Sequence, residues 1–321
     1  MIHKLKTLSV VLPCHNEQEV ILNTWKELTS ILSPLINNMI SNYELIMVNN
    51  GSTDETLRIM LEIQKKDSNV KVVDLRNNFG YQGSITAGLH YTSCDMVVTI
   101  DADLQDDPLK IKEMIQKHYD GFDLVLGVRG DRKTDSFFKR NTANLFYKLS
   151  NFFGIKTVPH HGDFRLISKE LLSDLDKYKE GNRYIRGLIL SLESKYAVVE
   201  YIRRKRLAGE TKFKPIKMFE LAIDAITSFS STPIKIISLL GFLVFTLSLA
   251  SIMFVLYQRF YSDVEIQGWA FIALTVSLFG GLNSLFIGII GEYVGKGYME
   301  MKKRPIFVTR KKYGFLDCDN N

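Results

Sequence analysis

Two apolar runs near the end of the chain constrain it more than any other feature. Ile236–Leu256 holds 21 residues without a charge, and Trp269–Ile290 holds 22 with Asn283 as its only strongly polar side chain. At the rise of an α-helix each is about 30 Å long, the thickness of a bilayer's hydrocarbon core. The connecting stretch 258–268 carries one Arg and two acids. Lys212, Lys214, Lys217 and Lys235 lie on one flank, and Lys296, Lys302, Lys303, Arg304, Arg310, Lys311 and Lys312 on the other. That asymmetry predicts two spans with both flanks cytoplasmic and the short linker outside.

The remainder reads as a charged globular chain. With 46% hydrophobic and 24% charged residues in 321, a disordered protein is excluded. A net charge of 41 − 35 = +6 is modest and does not call for nucleic acid. Cys14, Cys94 and Cys318 are odd in number and far apart, so no disulfide framework is indicated and a reduced compartment fits. The N-terminal MIHKLKTLSVVLP has too short an apolar run for a secretory signal and reads as a first strand. The expected organisation is a cytoplasmic domain over 1–213, an amphipathic juxtamembrane helix over 214–233, two spans with a short external loop over 234–291, and a basic cytoplasmic tail over 292–321. Ile216, Phe219, Ile223, Ile226 and Phe229 fall near helical spacing, as expected of a helix lying in the membrane interface. The stretch 137–153 has the same character, and either the interface or the domain core could take its apolar face.

Within the first 130 residues, β-branched runs at 7–13, 43–49, 70–75, 95–101 and 122–128 alternate with helical patterns at 17–36, 54–66, 80–91 and 108–118. Strands buried on both faces with helical crossovers predict an α/β fold with a mostly parallel sheet. Ligands of such sheets bind beyond the carboxyl ends of the strands. The polar strings PCHNE (13–17), NNGSTDET (49–56), RNNFGYQG (76–83) and DADLQDDP (101–108) all stand at those ends. No G-x-G-x-x-G follows the first strand and no Walker loop occurs, so a bound phosphate must be held by a metal or by basic side chains.

Asp101, Asp103 and Gln105 alternate directly after an apolar strand. Side chains at i and i+2 of an extended chain point the same way, and hard oxygen ligands suit Mg²⁺ or Mn²⁺. A cation there would neutralise a departing nucleoside diphosphate. The alternative is an acidic turn capping the helix that starts near Pro108. The adjacent His160 and His161 read as loop residues rather than metal ligands, and Cys14 as a packing residue rather than a nucleophile.

PCHNE, VNNGSTDET, RNNFGYQGSITAG, DADLQDDP, GDFRLIS (162–168), NRYIRGL (182–188) and RLAGETKF (206–213) occur in the order seen in family 2 glycosyltransferases. More narrowly, the chain resembles the polyprenyl-phosphate glycosyltransferases: the bactoprenol glucosyltransferases and, more distantly, dolichol-phosphate mannose synthase. The resemblance implies a GT-A type nucleotide-binding domain with amphipathic interfacial helices and two C-terminal transmembrane helices. It puts Pro13, His15, Glu17, Asn49 and Asn50 around the nucleoside, and Asp101, Ala102 and Asp103 at the ribose and diphosphate. Asp103 and Gln105 become the best ligands for Mg²⁺ or Mn²⁺, with Asp101 beside them. Arg129, Arg206 and Lys212 would meet the donor or acceptor phosphate. Asp163 falls at the position of the catalytic carboxylate proposed for the family, its alternative being a structural partner of Arg165 or Arg183.

Two positions depart from the usual pattern. His15 stands where an aromatic is common and can still stack. Asn49 and Asn50 stand where at least one Asp is usual; an amide can both accept from uracil N3–H and donate to its carbonyl, which tilts the donor toward uridine.

The resemblance implies transfer of one sugar, glucose from UDP-glucose, to undecaprenyl phosphate with inversion at the anomeric carbon. Other donors such as a UDP-N-acetylhexosamine or GDP-mannose stay open. It further implies a multi-pass protein of the bacterial inner membrane, surrounded by membrane lipids and assembled as a homo-oligomer (a tetramer by resemblance). A separate flippase and a downstream glycosyltransferase would act on its product in cell-envelope or O-antigen modification. A processive polysaccharide synthase would need a Q-x-x-R-W motif, which the chain lacks. An inactive tethered binding protein would have no need for Asp101, Asp103, Gln105, Asp163 and Arg206 together.

Overall fold

The computed structural model describes residues 4–130, 158–159, 161–181, 183–204, 232–261 and 268–315. The expected interfacial helices at 137–153 and 216–229, and Arg206, Lys212 and His160, lie outside the described residues. The described residues fall into two compact units, one carrying every strand and one carrying two long helices.

The first unit begins with repeated strand–helix crossovers. β1 (Lys6–Cys14), β2 (Ile40–Asn49), β3 (Val70–Leu75) and β4 (Met96–Thr99) are connected through α1 (Ile21–Leu32), α2 (Thr56–Lys66) and α3 (Gly80–His90). β1 pairs in parallel with β2 and β4, and β2 with β3. The strands are nearly all Val, Ile, Leu and Met and are buried on both faces, as parallel strands between helical layers must be. α4 (Ile111–Tyr119) and β5 (Leu124–Arg129) follow, then β6 (His161–Ser168), α5 (Lys169–Leu175), α6 (Ile185–Leu192) and β7 (Tyr196–Tyr201). β6 runs antiparallel between β4 and β5, so the sheet is mixed, in the order β7-β5-β6-β4-β1-β2-β3-β8. This is the α/β architecture expected from the sequence.

The last strand is a correction. Residues 292–321 read as a basic tail, yet β8 (Thr309–Tyr313) pairs antiparallel with β3 and closes one edge of the sheet. Its sequence TRKKY is mostly charged because an edge strand keeps its outward side chains in water. Phe307 and Phe315 pack against Tyr91 beside it, with ring centroids 6.3 and 5.7 Å away.

The second unit contains α7 (Thr232–Tyr261) and α8 (Trp269–Met301), one over each apolar run. Among the described residues, Leu278–Met301 of α8 is long and apolar enough to cross a membrane, and Thr232–Val244 of α7 is a shorter apolar stretch.

α3 packs on β1 and β2 through Gly88. A Cβ added there would overlap Val11 Cγ1 and lie 3.1 Å from Val48 Cγ2. Close-packed cores do not absorb an extra methyl group without strain. Gly88→Ala is therefore expected to destabilise the domain by about 1–3 kcal/mol, read as a lower unfolding midpoint.

Candidate active site

The parallel strands β1 to β4 bring four loops to one edge of the sheet. After β1, Asn16 adopts φ 56°, which turns its backbone so that Asn16 N–H donates to Ser52 Oγ (3.1 Å). Its Oδ1 accepts from Thr53 N–H (2.8 Å), and Glu17 N–H donates to Thr56 Oγ1 (2.8 Å). His15 bridges the next two loops, with Nδ1 2.9 Å from Asn50 O and Nε2 3.2 Å from Asn78 Nδ2. A carbonyl only accepts and an amide NH₂ only donates, so the ring carries its hydrogen on Nδ1.

Asn49 and Asn50 do different work from that expected. Both are buried. Asn49 Nδ2 donates to Asp74 Oδ1 (2.7 Å) and its Oδ1 accepts from Ser52 N–H (3.2 Å). Asn50 Nδ2 donates to Asn78 Oδ1 (3.1 Å) and Gly80 O (3.0 Å), while its Oδ1 accepts from Phe79 N–H (2.9 Å). The amides tie the loops together rather than offering an edge to a base, so they do not carry the uridine preference. Asp74 in turn faces Arg310 of β8 at 3.7 Å. Cys14 is buried, and burial first, with Glu17 and Asp101, pushes its thiol well above the ordinary range; it is a packing residue.

The loop after β4 carries the acidic string, and the structure sorts its members. Leu104 takes a left-handed conformation (φ 54°) and buries its side chain, a strained turn for a residue with a Cβ. Asp103 Oδ1 accepts from Gln105 N–H (3.1 Å), and Ala102 O accepts from Thr24 Oγ1 (2.6 Å). Asp106 accepts from Tyr201 Oη and lies 3.8 Å from Arg129 Nη2. Asp107 caps Leu109 N–H and pairs with Arg204 Nη2 at 2.6 Å. Asp106 and Asp107 are thus structural. Among the described residues Asp101 pairs with no Lys or Arg; its Oδ1 accepts from Tyr81 Oη at 2.6 Å. Burial, then Asp106 and Asp163, push its carboxyl up to about 7. Among the described residues no three His, Cys, Asp or Glu converge as a ready-made metal cluster.

Asp163, on β6, is clamped. It pairs with Arg165 two residues along the strand and with Arg186 of α6, whose Nε donates to both carboxylate oxygens at 3.0 and 3.1 Å. Arg165, not Arg183, is the expected structural partner found; Arg183 donates to Tyr178 O instead. Burial pushes the Asp163 carboxyl up, but Arg186 and Arg165 outweigh it and hold the group well below the usual carboxylate range. A proton acceptor needs a pKa near the working pH, so the role of general base does not fit Asp163. His161 is neutral, pushed down to about 3 by burial and then by Arg165 and Arg186. Tyr81, Asp101, Asp163, Arg165 and Arg186 lie close enough to shift one another's ionisation. Tyr81 and Arg186 were missed in the sequence, although Tyr81 lies in the string that follows β3 and Arg186 in the quoted motif NRYIRGL.

Residues 9–176 match the glycosyl transferase family 2 description. The chain belongs to that family. It is 40% identical over 95% of its length to the uncharacterized glycosyltransferase YkcC of Bacillus subtilis (strain 168), of which 94% is covered. It is 32% identical to the prophage bactoprenol glucosyl transferase homolog of Escherichia coli (strain K12), covering 95% of this chain and 98% of that one. A crystal structure of glucosyl-3-phosphoglycerate synthase from Mycobacterium tuberculosis with Mn²⁺, uridine-diphosphate and phosphoglyceric acid overlaps with a TM-score of 0.47 and 22% identity, over 69% of this chain and 76% of that one. The family assignment makes this chain a glycosyltransferase.

The Asp163 clamp has a pH signature. A lowered carboxyl pKa adds stability that is fully present above the ordinary carboxylate range and lost only as pH falls through the lower folded value. Over roughly pH 5 to 9 the group stays ionised, and the transfer rate should show no limb that Asp163→Asn abolishes. The same variant leaves the buried Arg165 guanidinium without its carboxylate and is expected to cost about 3–5 kcal/mol in chemical unfolding.

Proposed function

We propose that this glycosyltransferase moves one sugar, glucose from UDP-glucose, onto undecaprenyl phosphate at the cytoplasmic face of the bacterial inner membrane. The observation that carries this reading is the near-full-length similarity to the E. coli bactoprenol glucosyl transferase homolog, over 95% of this chain and 98% of that one.

The topology supports it. β7 leaves the sheet before α7, and β8 rejoins the same sheet after α8. Both flanks of the helical pair thus lead into one sheet, as an even number of crossings would require. Basic residues on both flanks favour the cytoplasmic side.

Asp101, Asp103 and Gln105 are the residues that would hold Mg²⁺ or Mn²⁺. The carboxyl of Asp101, pushed up by burial and by other carboxylates, is the kind of group a cation relieves. Mg²⁺ commonly takes one or two carboxylates and completes its shell with water and substrate phosphates, so three protein carboxylates are not required. When bound, the cation neutralises charge on the departing nucleoside diphosphate.

A phosphate monoester has a second pKa near 6 and is largely dianionic at neutral pH. Its oxygen forms the new bond to the anomeric carbon as the bond from that carbon to the diphosphate oxygen breaks, with inversion and without a general base. Arg129 and Arg186 stand as cations for phosphate oxygens, and Asp163 holds Arg186 in place. His15 packs at the nucleoside beside Pro13 and Glu17. A homo-oligomer, a flippase and a downstream transferase complete the proposal.

Membranes containing the protein, undecaprenyl phosphate and a panel of radiolabelled nucleotide sugars test the reading. UDP-glucose should carry label into the organic phase, and Asp103→Ala should lower that transfer by about 100-fold or more. Transfer from GDP-mannose or a UDP-N-acetylhexosamine alone would replace the donor. No label from any donor would overturn the reading.

A further inference from the structure

RNNFGYQG is the quoted motif to which no residue role has been attached, and it builds the first turn of α3. Gly80 takes φ 73°, a left-handed conformation that brings the chain sharply into the helix. Tyr81 and Gln82 follow at once and reach in two directions. Tyr81 Oη donates to Asp101 Oδ1 at 2.6 Å, and Gln82 Oε1 accepts from Ile185 N–H at 3.2 Å. Ile185 is the first residue of α6, and the next residue, Arg186, is the one that grips Asp163.

Adjacent side chains on one turn therefore hold the acidic end of β4 and the start of the helix bearing Arg186. The turn itself is fixed. Phe79 N–H donates to Asn50 Oδ1 and Gly80 N–H to Asn78 Oδ1 (2.8 Å). At Gly83 a Cβ would come 2.8 Å from Phe79 Cβ and 3.3 Å from Ile306 O, so the helix has no slack at that point.

We propose that Tyr81 and Gln82 are positioning residues for the donor: Tyr81 aims the Asp101 carboxylate at the cation, and Gln82 sets Arg186 against the phosphate. The proposal rests on the cation and phosphate roles given under the proposed function. Tyr81 removes one rotational freedom from a carboxylate that has no other side-chain partner among the described residues. Gln82 acts through the backbone of Ile185, so any side chain with an acceptor oxygen at that reach should serve.

Full-length protein in detergent allows the test with two ligands. Mn²⁺ alone, followed by the electron paramagnetic resonance of the free ion, reports on Asp101 without any sugar donor. Tyr81→Phe should weaken Mn²⁺ binding roughly tenfold, as loss of a hydrogen bond to a charged group implies, with the thermal midpoint unmoved. UDP-glucose titrated calorimetrically with Mn²⁺ should bind roughly tenfold more weakly to Gln82→Leu, and Gln82→Glu should restore most of that affinity. Mn²⁺ affinity equal in Tyr81→Phe and the natural protein would overturn the Tyr81 assignment, as would no Mn²⁺ binding by either. Failure of Gln82→Glu to recover what Gln82→Leu loses would overturn the Gln82 assignment. Absence of UDP-glucose binding to the natural protein, with Mn²⁺ binding intact and sensitive to Tyr81→Phe, would overturn the donor reading and leave the Tyr81 role standing.

Discussion

Parallel hydrogen bonding of β1 to β2 and β4, and of β2 to β3, is the constraint from which the candidate site follows. Four parallel strands must release the chain at the same edge, so every crossover begins there. The polar loops need no long-range attraction to meet; the ladder registers them. Once together they lock by short-range bonds: Asn16 to Thr53, Glu17 to Thr56, Asn50 to Phe79 and Gly80, and Tyr81 to Asp101. A loop on a sheet can be long and polar, and still rigid, when each of its donors has an acceptor in the next loop.

The electrostatics at that edge are divided by design of the strands. β6 runs antiparallel between β4 and β5 and brings Asp163 with its own arginine two residues on, where both point to one face. The pair is buried, and Arg186 completes the compensation from α6. On the β4 side, Asp106 and Asp107 are matched by Tyr201, Arg129 and Arg204, all from β5, β7 or the residues just after β7. Asp101 is the carboxylate left to a phenol instead of a cation. Among the described residues, the acids of the β4 loop thus divide into Asp106 and Asp107, each facing an arginine, and Asp101, facing a phenol.

Most of the first half of the fold was legible because its strands are unbroken apolar runs. β1 to β5 and α1 to α4 fall where the hydrophobic pattern puts them, within a few residues. The later strands carry weaker signals. β7 alternates exposed and buried positions on an edge, β6 contains Asp163 and Arg165 as a buried pair that reads as polar, and β8 is Thr-Arg-Lys-Lys-Tyr. Charge neutralised by a partner far along the chain does not register in a one-dimensional pattern. The same holds for the site. Asp101, Asp103 and Asp163 could be picked out by type and place, but the binding of Asn49 to Asp74 and of Asp163 to Arg186 depends on side chains 25 and 23 residues apart. The resemblance therefore put those asparagines at the nucleoside and that aspartate at the position of a catalytic carboxylate, with none of these partners in view.

The position of β8 has a consequence for how the chain is made. β3 emerges early in synthesis, yet its outer neighbour is Thr309–Tyr313, which follows two helices of 30 and 33 residues. Until those helices are synthesised and settled, β3 presents a bare row of N–H and C=O groups, the kind of edge that recruits other strands. The sheet is therefore complete only after both long helices have been made, although its other seven strands all precede them in the chain.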